Sequence, residues 1–253
     1  VATKKQSAKI KLESSYERYY PYLMELRRRL LFIVAIFIVG GGVGLFYYER
    51  IVRLILNIFN FEGINIVFTS PFQYVTLAIN SGLIVGLVFV FPLIIAQLLS
   101  FMKPALKNKE FKTTASLMPA SIFLFIFGFA FGIFIMRYVV LIFYERSIEF
   151  DIGNFLDISL LLSQTLITSL LMGIAFQFPI VLTILLRLRV FKYAELAKQR
   201  LIAYSASIVF AAFLPPTDLF SLVLLTLPLV VLFEFTLLFN RGLLKASVKR
   251  GES

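Results

Sequence analysis

Of the fourteen acidic side chains, two stand out for lying in basic segments and one for lying in an apolar run. Glu25 is the only acid in Leu23-Met24-Glu25-Leu26-Arg27-Arg28-Arg29, and Glu110 follows Lys103, Lys107 and Lys109. Both can pair with cations. On spacing alone the partner is internal: Glu25 reaches Arg29 at i,i+4 and Glu110 reaches Lys107 at i,i−3. Exposed pairs of that kind are worth about 0.3–0.5 kcal/mol, and Arg27-Arg28-Arg29 reads as a topology anchor. The third acid, Glu234, lies in an apolar run six residues before Asn240. An acid at the centre of a membrane helix costs about 2.5–3.5 kcal/mol on insertion scales. Glu234 must therefore face the protein interior, a wet groove or a partner, or else snorkel to the nearby interface.

Two further polar residues need partners. Gln177, in Phe176-Gln177-Phe178-Pro179, either caps backbone groups freed by Pro179, contacts another subunit or lines a groove. Asp218, after Pro215-Pro216-Thr217, is read as the N-cap of the last helix, with Pro215 at the turn. What is missing limits the chemistry further. Without Cys there is no disulfide or thiolate metal site. Without His there is no usual zinc site, Ser-His-Asp triad or histidine proton relay. No Gly-rich phosphate loop follows a strand. The chain is expected to use no cofactor and no metal, and to be no enzyme.

The elements that position these residues are set by composition. Of 253 residues, 60% are hydrophobic and 15% charged, against about 45–50% and about 25% in soluble domains. Spanning a bilayer core takes about 20 helical residues. Six apolar segments are candidates: 30–48, 75–102, 115–144, 158–186, 201–214 and 219–239. The middle ones are long, with Pro92, Pro119 and Pro179 as kink points. The fifth, with 14 residues, reaches only about 21 Å, so the last two are read as one short hairpin. The first is read as a retained span, being longer than a signal-peptide apolar region.

The net charge of +11 is mostly orientation. Residues 1–29 hold eight Lys and Arg, 103–114 four, 187–200 five and 241–253 four, against four on the other side: Arg50, Arg53, Arg137 and Arg146. Twenty-one against four places both termini in the cytoplasm and removes the reason to invoke nucleic acid. Glu145, Glu149, Asp151 and Asp157 gather in the third loop. Ile51–Phe59 is expected to be an interfacial helix or the tail of the first span. Gly40/Gly44, Gly82/Gly86 and Gly128/Gly132 are G-x-x-x-G pairs that permit close helix contact. The expectation is an all-α polytopic protein: one six-span domain over 1–253, with a cytoplasmic segment at 1–29, a cytoplasmic tail at 241–253 and the last two helices short.

Four blocks in this order resemble the TatC family, the polytopic core subunit of the twin-arginine protein translocase. They are Leu23-x-Glu25-Leu26-Arg27-x-Arg29-Leu30; then Pro92, Gln97, Phe101, Pro104, Leu106 and Glu110; then Phe176-Gln177-Phe178-Pro179; then Pro215-Pro216-Thr217-Asp218-Leu219-Phe220-Ser221 with Pro228 and Leu232-Phe233-Glu234. Tyr22 replaces a common His, Leu99 a common Trp and Gln177 a frequent Glu, and one extra residue separates the prolines from Asp218. The resemblance implies a receptor and scaffold for folded cargo whose signal peptides carry paired arginines, driven by the proton-motive force. It assigns signal binding to Glu25, Arg27, Phe101 and Glu110, since a carboxylate takes a guanidinium bidentately. Gln177 and Glu234 become intramembrane partner contacts. The implied partners are TatA- and TatB-like single-span subunits, signal peptides, lipid and further copies of the chain. The implied site of action is a bacterial or archaeal cytoplasmic membrane, or a thylakoid or mitochondrial inner membrane. The competing reading is a small-solute secondary transporter using Glu234, Gln177 and Asn80.

Overall fold

The computed structural model describes residues 2–59, 65–67, 69–102, 115–149, 155–187, 191 and 193–249. Nearly all of these residues are helical. Helix α1 runs Ala2–Phe46, α2 Tyr48–Phe59, α3 Gln73–Met102, α4 Met118–Glu149, α5 Ile158–Ala175, α6 Phe178–Arg187, α7 Tyr193–Lys198, α8 Arg200–Ala212 and α9 Leu219–Lys249. Among the described residues, five stretches are long and apolar enough to cross a membrane: Met24–Phe46, Gln73–Gln97, Met118–Arg146, Ile158–Leu186 and Leu219–Gly242. The sixth apolar run is the 13-residue helix α8, about 20 Å long at 1.5 Å per residue. The protein is an all-α polytopic integral membrane protein. Only the first of the last two helices is short, because α9 continues 31 residues through Asn240 into the basic tail.

One addition was not expected from the sequence. Strands β1 (Asn65–Val67) and β2 (Phe155–Asp157) form a parallel ladder, with Asn65 opposite Phe155 and Val67 opposite Asp157. Three residues per strand carry too little periodicity to be read as a strand. The ladder joins the segments that precede α3 and α5.

Lipid offers helices no hydrophobic incentive to associate, so close packing and polar contacts must hold them. Helix α1 packs on α3, α4 on α5, and α8 on α9, and α3 also meets α5. The glycines permit the closest approaches. A Cβ on Gly44 would lie 2.6 Å from Val85 Cβ, and one on Gly86 would lie 2.8 Å from the Phe37 carbonyl oxygen. The first two G-x-x-x-G pairs thus face each other across α1 and α3. Gly132 meets Ser169 in the same way, at 2.5 Å from its Cα, which sets α4 against α5.

Helix α2 is separate from α1, with the break at Tyr47. It turns Ile55 and Phe59 into a core with Leu77, Ile84, Phe125, Met136 and Leu162, leaving Arg53 and Asn57 exposed. The segment is thus a separate amphipathic helix and not a continuation of the first span. Pro92 and Pro228 lie inside α3 and α9, whereas Pro119 and Pro179 fall in the first turns of α4 and α6. Pro179 has no N–H to offer the preceding turn, and the 158–186 segment breaks there at Phe176-Gln177.

Candidate functional site

The first candidate locus is the basic end of α1 and α3. Helix α1 presents Glu25 one turn before Arg29, and the Arg29 guanidinium donates to Glu25 Oε1 from Nε at 3.1 Å and from Nη2 at 2.5 Å. The i,i+4 pair expected from spacing is present. Arg29 also crosses to α3, where Nη1 reaches the Gln97 carbonyl at 3.0 Å and Gln97 Oε1 at 2.8 Å. Nη2 also reaches Ser100 Oγ at 3.3 Å. The Arg29 side chain is 18% exposed and that of Glu25 50%. Arg27 and Arg28 are exposed. Phe101 stands in the last turn of α3, one residue after Ser100. Glu110 lies outside the described residues, as does its expected pairing with Lys107.

Gln177 occupies a different environment. It is 8% exposed, and its amide Nε2 donates to the Ser121 carbonyl at 3.0 Å and to Gly173 O at 3.5 Å. Ser121 Oγ in turn donates to Gln177 Oε1. The backbone explains the Gly173 contact: Gln177 N–H goes to Ile174 O instead of Gly173 O, and the side chain supplies the donor that turn lost. Gln177 therefore caps the broken helix and ties it to α4. Asn80 is also engaged within the chain, donating to Ser163 Oγ at 2.9 Å.

Glu234 pairs inside the last hairpin. Its Oε2 lies 3.1 Å from Arg200 Nη2, and Tyr204 Oη donates to Oε1 at 2.6 Å. Arg200 and Tyr204 sit four residues apart on one face of α8. The pairing lowers the cost of a carboxylate at this depth. The Glu234 side chain still keeps 32% of its surface open. One turn and a half further on, Asn240 Nδ2 donates to Thr183 Oγ1 at 3.0 Å, fixing α9 to α6.

At the opposite end the carboxylates are structural. Asp218 accepts from Ser221 N–H at 2.8 Å and Ser221 Oγ at 2.6 Å, the expected N-cap of α9. Pro215, whose bond to Pro216 is cis, accepts from Thr168 Oγ1 through its carbonyl. Asp157 caps α5 by accepting from Ser159 N–H at 2.9 Å and Leu160 N–H at 3.1 Å on Oδ1. Its Oδ2 accepts from Thr69 Oγ1 and Gln73 Nε2, each at 2.6 Å. Burial raises the Asp157 pKa, but the bonds from Thr69, Leu160, Gln73 and Ser159 outweigh it and hold the carboxyl below its ordinary value.

The sequence reading missed Gln97, Ser100, Asp157, Arg200 and Tyr204 as partners. Two carried a readable signal: Asp157 stands directly before an apolar helical run, a capping position, and Gln97 belongs to the second block. Arg200 was counted only as topology. Among the described residues no group of three or more Cys, His, Asp or Glu could hold a metal.

The sequence profile of the family described as Sec-independent protein translocase protein (TatC) matches residues 21–228. The Sec-independent protein translocase protein TatCy of Bacillus subtilis is 32% identical over 239 residues, covering 90% of each chain. A TatC of Listeria innocua is 30% identical and covers 85% of this chain and 88% of its own. A crystal structure of a twin-arginine translocase receptor, TatC, in DDM superposes with a TM-score of 0.77 at 26% identity, over 86% of this chain and 98% of that one. The match covers most of the chain, and the chain belongs to the TatC family of Sec-independent protein translocase proteins.

Proposed function

We propose that this protein is the signal-peptide receptor of a twin-arginine translocase in a bacterial cytoplasmic membrane. As a TatC protein it is a component of a Sec-independent protein translocase. The observation that carries the receptor reading is Glu25: a half-exposed carboxylate, held in place, on the end of the protein that bears most of its positive charge. An anion there offers a guanidinium a charge-assisted hydrogen bond. Glu110 is the second acceptor of the pair, and Phe101 and the exposed surface of α1 offer apolar contact to the signal segment. The 21 bases at this end repel a ligand that is only cationic, so the apolar part of the signal must supply affinity. The chain traverses the membrane six times with α8 counted, as one domain with cytoplasmic termini. The short α8 implies local thinning of the bilayer.

Glu234 is the intramembrane group best placed for a single-span TatA- or TatB-like partner, since part of its surface is open. Gln177 supports that region from inside by joining α4 to the α5–α6 break. The small-solute reading loses its footing, because Gln177 and Asn80 are occupied by Ser121 and Ser163. The receptor reading is tested by binding signal peptides to the purified protein in detergent. Paired-Arg peptide should bind more tightly than its paired-Lys counterpart, and Glu25→Ala and Glu110→Ala should each weaken it. Equal binding of both peptides, with neither substitution mattering, removes it.

A further inference from the structure

Arg29 differs from its two neighbours in the Arg27-Arg28-Arg29 run because it turns inward. A guanidinium has five N–H donors in a fixed plane, and Arg29 places all five. Nε and one Nη2 hydrogen go to Glu25 Oε1, the two Nη1 hydrogens go to the Gln97 carbonyl and Gln97 Oε1, and the remaining Nη2 hydrogen goes to Ser100 Oγ. Both bonds to Glu25 fall on the same oxygen. Glu25 Oε2 accepts no bond from the described residues. Among the described residues the carboxylate is thus half-occupied: one oxygen is anchored through Arg29 to α3, and the side chain is half-exposed.

We propose that Arg29 is a positioning and specificity-determining residue for the signal peptide, holding Glu25 so that one oxygen meets the incoming arginine beside the end of α3. The proposal rests on the reading of Glu25 as the acceptor of a signal arginine. The physical reason is pre-organisation. A free Glu side chain loses about 1.5–2 kcal/mol of rotamer entropy when it is ordered, and Arg29 has ordered it before the ligand arrives. A second consequence concerns selectivity. With its free oxygen fixed in direction, Glu25 favours a planar donor approaching in line, and a Lys ammonium gains little from that geometry. Lys at position 29 could not reproduce the device, because its three donors radiate from one point and cannot span Glu25, Gln97 and Ser100 together.

The test measures affinities for paired-Arg and paired-Lys signal peptides with the full-length protein in detergent, for wild type, Arg29→Lys, Arg29→Gln, Gln97→Ala and Glu25→Ala. Arg29→Lys should weaken the paired-Arg peptide about tenfold, the worth of one charge-assisted hydrogen bond, while the paired-Lys affinity changes less than about twofold. A purely structural role for Arg29 would lower both affinities together. Gln97→Ala removes one tether from the far side of Arg29, keeps every charge, and should lose discrimination to a smaller degree. It carries the test if the Arg29 variants fail to fold. Unchanged discrimination in the folded variants, or tighter paired-Arg binding once Arg29 is gone, overturns the proposal. If Glu25→Ala abolishes binding while discrimination survives Arg29→Lys, only this proposal falls; if Glu25→Ala has no effect, the reading of Glu25 as an acceptor falls and this proposal with it.

Discussion

Glu25 and Asp157 are carboxylates at opposite ends of the same helical body, and they are bonded in opposite ways. Asp157 accepts four hydrogen bonds, two on each oxygen, from groups that lie before and within α3 and α5. Among the described residues Glu25 accepts two, both on one oxygen and both from its helix neighbour Arg29. A saturated carboxylate is a structural part. A carboxylate with an open oxygen, half-exposed, can still do work for a ligand. Counting bonds per oxygen separates the two roles more sharply than counting acids in the sequence, where Asp157 belonged to a cluster of four and Glu25 to an ion pair.

The comparison breaks most readily at Asp157. Asp157→Ala removes the α5 cap, worth about 1 kcal/mol, and leaves Thr69 and Gln73 without an ionised acceptor, at about 1 kcal/mol each. Thermal unfolding followed by circular dichroism should show a loss of about 2–3 kcal/mol. Paired-Arg peptide affinity should stay within about twofold. A large drop in affinity would show that the two ends are coupled. At the other end, Glu25→Ala should reverse the pattern. Affinity should fall about 10–30-fold, while stability changes by about 0.5 kcal/mol or less, the worth of an exposed pair.

Glu234 falls between these extremes, being paired twice but partly open. Glu234→Gln keeps an acceptor for Tyr204 and loses the ion pair with Arg200. Glu234→Ala loses both and leaves Arg200 unpaired. Export of a reporter cargo should fall in both, and further in Ala, by about threefold to tenfold. Equal export by wild type and both variants would make Glu234 a helix-pairing residue only.

The smallest expected effect is on pH dependence. Because the folded Asp157 titrates below its ordinary value, its contribution is complete above the ordinary carboxylate range and is lost as pH falls through the depressed folded value. Stability of the wild type should therefore decline below about pH 4. Asp157→Asn, which keeps an Oδ1 cap, should show a shallower decline. An identical decline would assign the acid sensitivity to other groups.

Local sequence sufficed wherever the physics is local. Helix extent follows from apolar length, the amphipathic α2 from Arg53 and Asn57 spaced among Ile and Leu, and the Asp218 cap from its place before α9. The Glu25–Arg29 pair follows from one turn of helix. The glycine pairs allowed close contact without naming the partner, and the fold matched Gly40/Gly44 with Gly82/Gly86. Gln177 was readable as a cap because Pro179 lies two residues away; its partner Ser121, 56 positions upstream, was not.

The sequence by itself determined a membrane-embedded helical chain with a basic end and a few isolated polar side chains, because hydropathy and charge act residue by residue. Which polar group remains open to a ligand was decided only by tertiary structure. Gln97 and Ser100 lie about 70 residues from Arg29, and Arg200 lies 34 from Glu234. A carboxylate's availability depends on which distant donors reach each of its oxygens, and no local pattern records that.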